Sequence, residues 1–392
     1  MKVFLRSLNI CPMRRVNFSQ YRESLKQNGH QIVDSPEMAD KVLVWTCAVR
    51  KDFHDNSIRV LKDFQNSGYQ VVAAGCLPSI NPSFIQEEFH GEVIHFNNDD
   101  EEFAKIFGGV LNEAPYPVAE APILIPLDQY RAQHPKMKIV NDDQYIKLFI
   151  AEGCTQRCSY CTEVQAFPPF QSYPLSKIVA KAQELVDRTG VKKVALFGDD
   201  IGAYGTDMDS NLVSLLHALV DMDPNIQISL KQINPIWWKK YFSELSELIR
   251  NKNIFQMLVP IQSANTRILK LMDRNYSSED LDFLFNSIHG NTEIELETHI
   301  ICGFPTETVS EWNDTVRFVC NHRFRYVMGN IFMPGEGTKA EKIKNQIDEK
   351  EKEQRMLIGA IEMEKQGTVV AHNLSWRAKE HLTHTRIDFM EM

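Results

Sequence analysis

Three cysteines on one short stretch have the most specific chemical pattern in this chain of 392 residues. Cys154, Cys158 and Cys161 have the spacing CxxxCxxC within AEGCTQRCSYCTE. Three thiolates so spaced can hold three irons of a four-iron cluster, and because no fourth cysteine follows nearby, one iron would be open to a substrate or cofactor. The alternative is a zinc site, but zinc usually takes four protein ligands in two close pairs, and no partner pair lies at the usual distance.

Three further cysteines, Cys11, Cys47 and Cys76, each follow a short apolar run that is typical of a buried strand. Amphipathic helical patterns follow the runs, and this alternation predicts a parallel sheet whose strands all end at one edge. We therefore expect the three thiols to converge there and to hold a second cluster. The alternative is three unconnected, buried structural thiols. The runs are Lys2 to Leu5, Lys41 to Trp45 and Gln70 to Ala74.

The composition is that of an ordinary globular enzyme. Hydrophobic residues make up 43% and charged residues 24%, which argues against disorder. A net charge of -9 does not by itself favour a nucleic-acid partner, although a basic stripe can be hidden in an acidic total. No segment reaches the roughly 20 apolar residues of a membrane span, so we expect no membrane partner. Six of the eight cysteines belong to the two sets, which indicates metal chemistry in a reducing compartment and a cytoplasmic protein.

The chain divides into four predicted regions within the α/β class. Residues 1–115 form a doubly wound parallel-sheet domain, 116–142 form a linker rich in Pro, Ala and Gln, and 143–345 form a second alternating domain. Residues 346–392 form a charged helix and a short tail. The second domain has six predicted strands: Tyr145 to Ala151, Lys193 to Gly198, Ile226 to Leu230, Ile254 to Val259, Glu293 to Ile301 and Tyr326 to Phe332.

The motifs over about residues 1–345 resemble those of the radical S-adenosylmethionine (SAM) methylthiotransferases. The first set lies in NICPMRRVN, WTCAVRKD and AAGCLPS, and the second in YIKLFIAEGCTQRCSYC; LFGDDIGAYGTD, INPIWW, VPIQSANTRILKLMDRNYS, THIICGFPTET and FMPGEGTKA follow. The resemblance implies a partial (β/α)6 radical SAM barrel, two [4Fe-4S] clusters and S-adenosylmethionine. It implies an enzyme that converts a C–H bond to C–SCH3 with two SAM molecules, one giving a 5′-deoxyadenosyl radical and one giving the methyl group.

The resemblance also implies which residues contact SAM. Tyr160 is the aromatic residue that the family has before the last cysteine. The others follow later strands and are Phe197, Gly198, Asp199, Asp200, Gln262, Ser263, Gly303 and Phe304. The alternatives are a turn or helix cap for the two aspartates, a helix N-cap for Ser263 and a tight turn for Gly303 and Phe304.

Several positions depart from the family pattern. The asparagine that usually comes three residues after the first cysteine is Asn17, six residues after Cys11. Arg14 and Arg15 in this insertion carry the charge to bind a phosphate, but a solvated loop is the favoured interpretation. The other departures are His299 for aspartate, Thr306 for glycine and Gly335 for arginine.

The C-terminal region guides the predicted substrate. Family members usually end in a TRAM domain that binds RNA or protein, whereas the tail from Gly367 is too short for a five-stranded barrel and has three basic and three acidic residues. We therefore expect a peptide or small natural-product substrate. The runner-up is a transfer RNA adenosine, because DDIGAYGTD is closest to the branch that modifies threonylcarbamoyladenosine. Flavodoxin or ferredoxin is the expected electron donor. A redox sensor or iron-sulfur binding protein is the alternative of another class.

Overall fold

The computed structural model describes residues 1–8, 12–112, 119–120, 145–288 and 293–372. The chain forms two compact units. Unit 1 comprises residues 1–116, 159–170 and 333–342, and unit 2 comprises residues 117–158, 171–332 and 343–392. Two segments from the second predicted domain, residues 159–170 and 333–342, thus complete unit 1. The predicted linker lies mostly outside the described residues.

Unit 1 contains the predicted parallel sheet, with strand order β2-β1-β3-β4-β5. The three predicted strands, each followed by a helix, are present; two of them, β3 and β4, are buried as predicted, whereas in β1 only Val3 is buried. The edge strands β2 and β5 were not predicted, because three and two residues are too few for a periodic pattern. The strands are β1 (Lys2–Ser7), β2 (Gln31–Val33), β3 (Lys41–Thr46), β4 (Val71–Gly75) and β5 (Glu92–Val93), and the helices are α1 (Pro12–Gln27), α2 (Lys51–Asn66), α3 (Leu77–Ile80), α4 (Pro82–Glu87) and α5 (Asp99–Phe107).

The N-terminal turn of α1 differs from the predicted solvated loop. Pro12 begins the helix, which its fixed φ favours, and the rest of the insertion continues as helix. Arg14 is only 3% exposed, and its guanidinium lies 4.9 Å from the ring centres of both Phe96 and Phe167. Its Nη1 donates to Asn17 Oδ1 at 3.1 Å. The interpretation of Arg14 as solvated is therefore wrong; the side chain of Arg15 lies outside the described residues.

We expect Arg14→Met to lower the free energy of unfolding of unit 1 by about 2 kcal/mol, because both cation–π contacts are lost. The positive charge that acts on the nearby Glu163 carboxylate is lost as well. Urea unfolding of the apo-protein, monitored through the hydrogen exchange of residues in β1 and β3, measures this change in the free energy of unfolding. Arg22→Met on the same helix is the matched control, since the Arg22 side chain is 49% exposed and pairs with the equally exposed Glu23. Equal stability of the two variants would contradict this account of Arg14.

Unit 2 contains an eight-stranded sheet with strand order β15-β14-β13-β12-β11-β10-β7-β6. The six predicted strands are its six central members and pair in parallel, which confirms the partial barrel. Each strand therefore directs its carboxyl end to the same side. The central strands are β7 (Ile146–Phe149), β10 (Lys193–Phe197), β11 (Gln227–Leu230), β12 (Ile254–Leu258), β13 (Glu295–Cys302) and β14 (Tyr326–Ile331).

The helices of unit 2 alternate with these strands, and short strands complete its sheets. The hairpin of β8 (Ala151–Glu152) and β9 (Gln171–Ser172) encloses the cysteine loop, and β6 (Ala119–Glu120) pairs antiparallel with β7. Among the described residues, no helix is both long enough and apolar enough to cross a membrane. The helices are α6 (Leu175–Thr189), α7 (Leu212–Met222), α8 (Pro235–Lys240), α9 (Phe242–Arg250), α10 (Thr266–Leu271), α11 (Ser278–Asn286), α12 (Val309–Asn321) and α13 (Glu349–Lys365).

The C-terminal region extends the sheet of unit 2. The predicted charged helix is α13, and β15 (Val369–His372) pairs in parallel with β14. From the sequence, the residues of β15 belong to the predicted tail, because a run of four residues is too short to be recognised as a strand without its neighbouring strand. Trp312 Nε1 donates to the carbonyl of Arg355 at 3.0 Å, and this bond fixes α13 against α12. Residues 373–392, with most of the predicted tail, lie outside the described residues.

Candidate cluster and cofactor sites

The cysteine loop of the second set follows β8 through Gly153, which has a positive φ of 76°. Cys154, Cys158 and Cys161 are half-buried thiols on this loop, and none of them forms a disulfide among the described residues. The backbone N–H of Gln156 points at Cys154 Sγ at 3.4 Å, which is the kind of donor that stabilises a thiolate. Among the described residues, no three Cys, His, Asp or Glu side chains converge closely enough to hold a metal ion.

Two carboxylates that follow β10 hold the cysteine loop. Asp199 Oδ2 accepts the Gly153 N–H at 2.9 Å, and Asp200 Oδ2 accepts the Thr155 hydroxyl at 2.7 Å. Cys154 Sγ lies 3.9 Å from Asp200 Oδ2. Burial, reinforced by the Asp200 charge, raises the pKa of the Cys154 thiol to about 12. Cys154 is therefore a poor nucleophile at neutral pH, whereas a bound metal would deprotonate it.

Asp200 also has an acceptor that makes no close hydrogen bond among the described residues, although the Trp237 side chain is near enough to act on this carboxyl group. It is 2% exposed, and its buried Oδ1 has no hydrogen-bond donor. Burial raises the pKa of its carboxyl group. Asp200 occupies the N-cap position of the short helix Ile201–Ala203, as the alternative interpretation has it, but its side chain makes no capping bond. A buried, unused carboxylate oxygen beside the cysteine loop suits a cationic group such as the ammonium of SAM.

Phe197 and Gly198 close the space between β10 and the start of the cysteine loop. The Phe197 carbonyl accepts the Ile150 N–H at 2.9 Å, so one of its two acceptor positions is already used. A Cβ on Gly198 would lie 3.0 Å from the Ala151 carbonyl oxygen, so this position favours glycine. Tyr160 is half-buried on the cysteine loop. The contacts of these residues with SAM stay predictions.

The residues after β12 are held mainly by neighbouring elements. The Ser263 hydroxyl lies 3.3 Å from the Thr315 hydroxyl on α12, and the N-cap of α10 is Asn265, so the alternative of an N-cap at Ser263 is wrong. Gln262 has a positive φ of 62°; its N–H donates to the His299 carbonyl at 2.9 Å, and its carbonyl accepts the Ile301 N–H at 2.8 Å. These bonds join the loop to β13. Whether Gln262 and Ser263 also contact SAM stays a prediction.

The conformation of the turn after β13 depends on Gly303 and Phe304. Gly303 has a positive φ of 79°, and a Cβ there would lie 2.2 Å from Lys352 Cγ on α13. Phe304 is fully buried against Phe332, with ring centres 5.3 Å apart. Thr306, where the family usually has glycine, has a positive φ of 68°, which is strained for a β-branched residue. The turn is thus formed as predicted, and its proposed packing against SAM is an expectation.

The buried Glu307 of the same turn was not predicted. Its Oε2 accepts the Gly303 N–H at 2.7 Å, and its Oε1 has no hydrogen-bond donor among the described residues. Burial raises the pKa of this carboxyl group to about 8. The other charged or titratable groups that act on it are Arg267, Cys302, Glu311 and Arg355.

Because burial raises the pKa of Glu307, the free energy of unfolding should change with pH in a definite direction. Below about pH 4.5 Glu307 is protonated in both the folded and the unfolded chain; as the pH rises to about 8 the unfolded chain loses this proton and the folded chain keeps it. We expect the free energy of unfolding to fall with pH relative to Glu307→Gln, by at most about 1.4 kcal/mol per pH unit. Urea unfolding at several pH values measures the difference, with exposed Glu244→Gln as the control. A constant difference across this range would contradict the buried carboxyl.

The first set of cysteines partly converges at the edge of the unit 1 sheet, as predicted. Thr46 and Gly75 are register partners on β3 and β4, and Cys47 and Cys76 follow them directly. Both thiols are buried, at 2% and 3% exposed. The strand β1 ends at the same edge, since Ser7 pairs with Trp45. Cys11 lies outside the described residues, so its place as third ligand stays a prediction.

The loops after β3 and β4 are fixed by internal hydrogen bonds. Ser57 Oγ donates to the Cys47 carbonyl at 2.7 Å and accepts the Cys47 N–H at 3.0 Å. Thr46 Oγ1 accepts the Leu77 N–H at 3.1 Å. A Cβ on Gly75 would lie 2.4 Å from the Thr46 carbonyl oxygen, so the close approach of the two strand ends depends on this glycine. The two thiols lie in loops that hydrogen bonds hold in place at the ends of neighbouring strands. This arrangement favours a shared cluster over the interpretation as two unconnected structural cysteines.

One departure from the family pattern has a packing reason. Gly335 belongs to unit 1 and lies against Thr162, which follows the last cysteine of the loop. A Cβ at residue 335 would lie 1.9 Å from Thr162 Cγ2. The arginine that the family usually has there therefore cannot be accommodated without a rearrangement.

Comparison with known families places both cysteine sets in recognised regions. Residues 148–319 match the family described as "Radical SAM superfamily", and residues 2–96 match the family described as "Uncharacterized protein family UPF0004". The two matched regions, together with the fold and the cysteine loop, support the radical S-adenosylmethionine methylthiotransferase family for this chain. The cofactors of this family are SAM and two [4Fe-4S] clusters.

Curated relatives cover most of the chain at low identity. A relative from Pyrococcus horikoshii, named "Probable threonylcarbamoyladenosine tRNA methylthiotransferase", is 26% identical over 88% of this chain and 79% of its own length. One of the same name from Methanocaldococcus jannaschii is 28% identical over 88% of this chain and 79% of its own length. The Homo sapiens "Threonylcarbamoyladenosine tRNA methylthiotransferase" is 27% identical over 83% of this chain, which spans 56% of that protein.

Solved structures support the fold alone. The radical SAM methyltransferase TsrM from Kitasatospora setae has a TM-score of 0.58 at 13% identity, over 86% of this chain and 76% of that chain. The cobalamin-dependent radical SAM enzyme OxsB has a TM-score of 0.51 at 10% identity, over 93% of this chain and 56% of that chain.

The described residues fit the cofactors of the family. When bound, the clusters and SAM supply one-electron reduction, a carbon-centred radical and a methyl group. Cys154, Cys158 and Cys161 would hold one cluster, and Cys47 and Cys76, with Cys11, would hold the other. Asp200 would bind the ammonium of SAM through its free oxygen, while Thr155 fixes the orientation of its carboxylate. The protein's part is to position these groups and exclude water from them.

Proposed function

We propose that this chain transfers a methylthio group to threonylcarbamoyladenosine in transfer RNA. The observation that carries the proposal is the shared name of three archaeal relatives, "Probable threonylcarbamoyladenosine tRNA methylthiotransferase"; the match covers 77 to 79% of the length of each. The motif LFGDDIGAYGTD, which closely resembles that branch of the family, supports the same substrate. The reaction replaces a C–H hydrogen of the base by SCH3.

The peptide or natural-product substrate expected from the sequence depended on the short, nearly neutral tail. No contact in the described residues favours such a substrate, and the relatives favour the runner-up. The alternative of a redox sensor has no support among the relatives either, since those compared above are transferases by name. Flavodoxin or ferredoxin as reductant and a cytoplasmic location complete the proposal.

The test is an anaerobic assay of the reconstituted full chain with SAM and dithionite. One transfer RNA carries threonylcarbamoyladenosine without the methylthio group, and the control is the same RNA with unmodified adenosine at that position. We expect nucleoside mass spectrometry to find hydrogen replaced by SCH3 in the first RNA only. Release of 5′-deoxyadenosine with neither RNA modified, together with methylthiolation of a supplied peptide pool, would overturn the proposal.

A further inference from the structure

Arg274 connects the cysteine loop to the carboxyl end of β12 within unit 2. Its Nη1 donates to Cys158 Sγ at 3.2 Å, its Nη2 donates to the Pro260 carbonyl at 3.0 Å, and its Nε donates to the Tyr276 hydroxyl at 2.9 Å. The residue is 9% exposed. Three different partners thus surround one buried guanidinium.

The bonds to Tyr276 and to the Pro260 carbonyl orient the contact between Arg274 and Cys158. Tyr276 is 5% exposed, and its hydroxyl donates to the Ile261 carbonyl at 2.9 Å, so it is fixed to the same strand end. The Tyr276 ring centre also lies 5.1 Å from the guanidinium carbon. Because the guanidinium is planar and rigid, fixing Nε and Nη2 leaves Nη1 aimed at the sulfur. The contact with Cys158 is therefore preset by the protein.

A fixed positive charge and an N–H donor at a ligating sulfur favour the state with the extra electron. Hydrogen bonds to cluster sulfurs, net charge and burial are the protein's means of setting the reduction potential of an iron-sulfur cluster. Arginine stays charged at every relevant pH, and its field is weakly screened at a buried site. Asp200 is the opposing charge nearby, and the two act on each other.

We propose that Arg274 is a positioning residue that raises the reduction potential of the cluster held by Cys154, Cys158 and Cys161. It acts through its bond to Cys158 and keeps that thiolate directed at the iron. The proposal depends on the cluster and not on the RNA substrate, so it and the proposed function fail separately.

The test is a redox titration followed by electron paramagnetic resonance. A Cys47→Ala/Cys76→Ala background isolates the signal of the cluster on the loop. In that background we expect Arg274→Met to reduce the ratio of reduced to oxidised cluster about tenfold at a fixed potential, a shift of about 59 mV to more negative values. We expect Arg274→Lys, which keeps the charge without the fork, to lie between Met and the unaltered residue.

Two further variants separate tuning from a merely structural role. Tyr276→Phe removes the partner of Nε, and we expect a smaller shift in the same direction. Arg267→Met is the matched control, because Arg267 has a side chain 48% exposed and bonds to Glu311 and Thr306 instead of to the cysteine loop. We expect its potential to be unchanged.

Chemical rescue gives a second readout. With dithionite, Arg274→Lys should release less 5′-deoxyadenosine than the unaltered protein, and a stronger reductant such as titanium(III) citrate should restore the rate. If Arg274→Met fails to fold or to bind iron, the reduction potentials of Arg274→Lys and Tyr276→Phe test the proposal instead. A potential that is unchanged or more positive in these loaded variants would overturn the proposal.

Discussion

Replacing Cys154, Cys158 or Cys161 by alanine is expected to abolish release of 5′-deoxyadenosine and to reduce the iron content from about eight to about four per chain. The reason is that a cluster with one open iron has only three protein ligands, and two thiolates cannot retain it. The SAM ammonium that we expect Asp200 to bind would then be lost from the site as well. Iron analysis of the reconstituted variants and chromatography of the SAM products measure the two effects.

The control for this prediction is Cys320→Ala, because Cys320 is a half-buried free thiol on α12 and lies in neither cysteine loop. We expect it to keep full iron and full 5′-deoxyadenosine release. A loop variant that retained both quantities would show that the three cysteines do not hold the radical cluster.

Replacing Cys47 or Cys76 by alanine is expected to separate the two halves of the reaction. Iron should again fall to about four per chain, but 5′-deoxyadenosine should still be released, while the methylthiolated product disappears. These thiols belong to unit 1, whereas Asp199 and Asp200, which hold the cysteine loop, belong to unit 2. Product analysis by mass spectrometry, with release of 5′-deoxyadenosine measured in the same sample, gives the result.

The matched control for this second prediction is Ser57→Ala, which removes the hydroxyl bonded to the Cys47 backbone but leaves both thiols in place. We expect it to keep its iron and a reduced yield of product. Formation of the methylthiolated product by Cys47→Ala and Cys76→Ala would contradict the assignment of the second cluster.

The elements that could be predicted from the sequence are those with a clear local pattern of apolar residues. Runs such as Lys41–Thr46 and Glu295–Cys302 are long and apolar enough to be recognised as strands. The meeting of Cys47 and Cys76 followed from topology alone, because parallel strands end at one edge. The short strand Val369–His372 was missed, since its only evidence is the neighbouring strand β14.

The site residues that were missed depend on contacts distant in sequence. Arg274 and Cys158 are separated by 116 positions, and a lone arginine in a loop has no spacing that marks a sulfur contact. The solvated interpretation of Arg14 failed because Phe167, one of its two aromatic partners, comes from the segment after the cysteine loop. Asp199 and Asp200 were predicted to contact SAM, and the structure adds that they also hold the cysteine loop.

The most direct test of the central claim uses SAM with a deuterated methyl group and the unaltered, reconstituted chain. In a limited-turnover reaction with transfer RNA that carries threonylcarbamoyladenosine, 5′-deoxyadenosine, S-adenosylhomocysteine and methylthiolated nucleoside are quantified together. A methylthiotransferase predicts equal amounts of the three products, with all three deuterium atoms in the nucleoside. Methylated nucleoside that contains no added sulfur, or S-adenosylhomocysteine formed without 5′-deoxyadenosine, would contradict it.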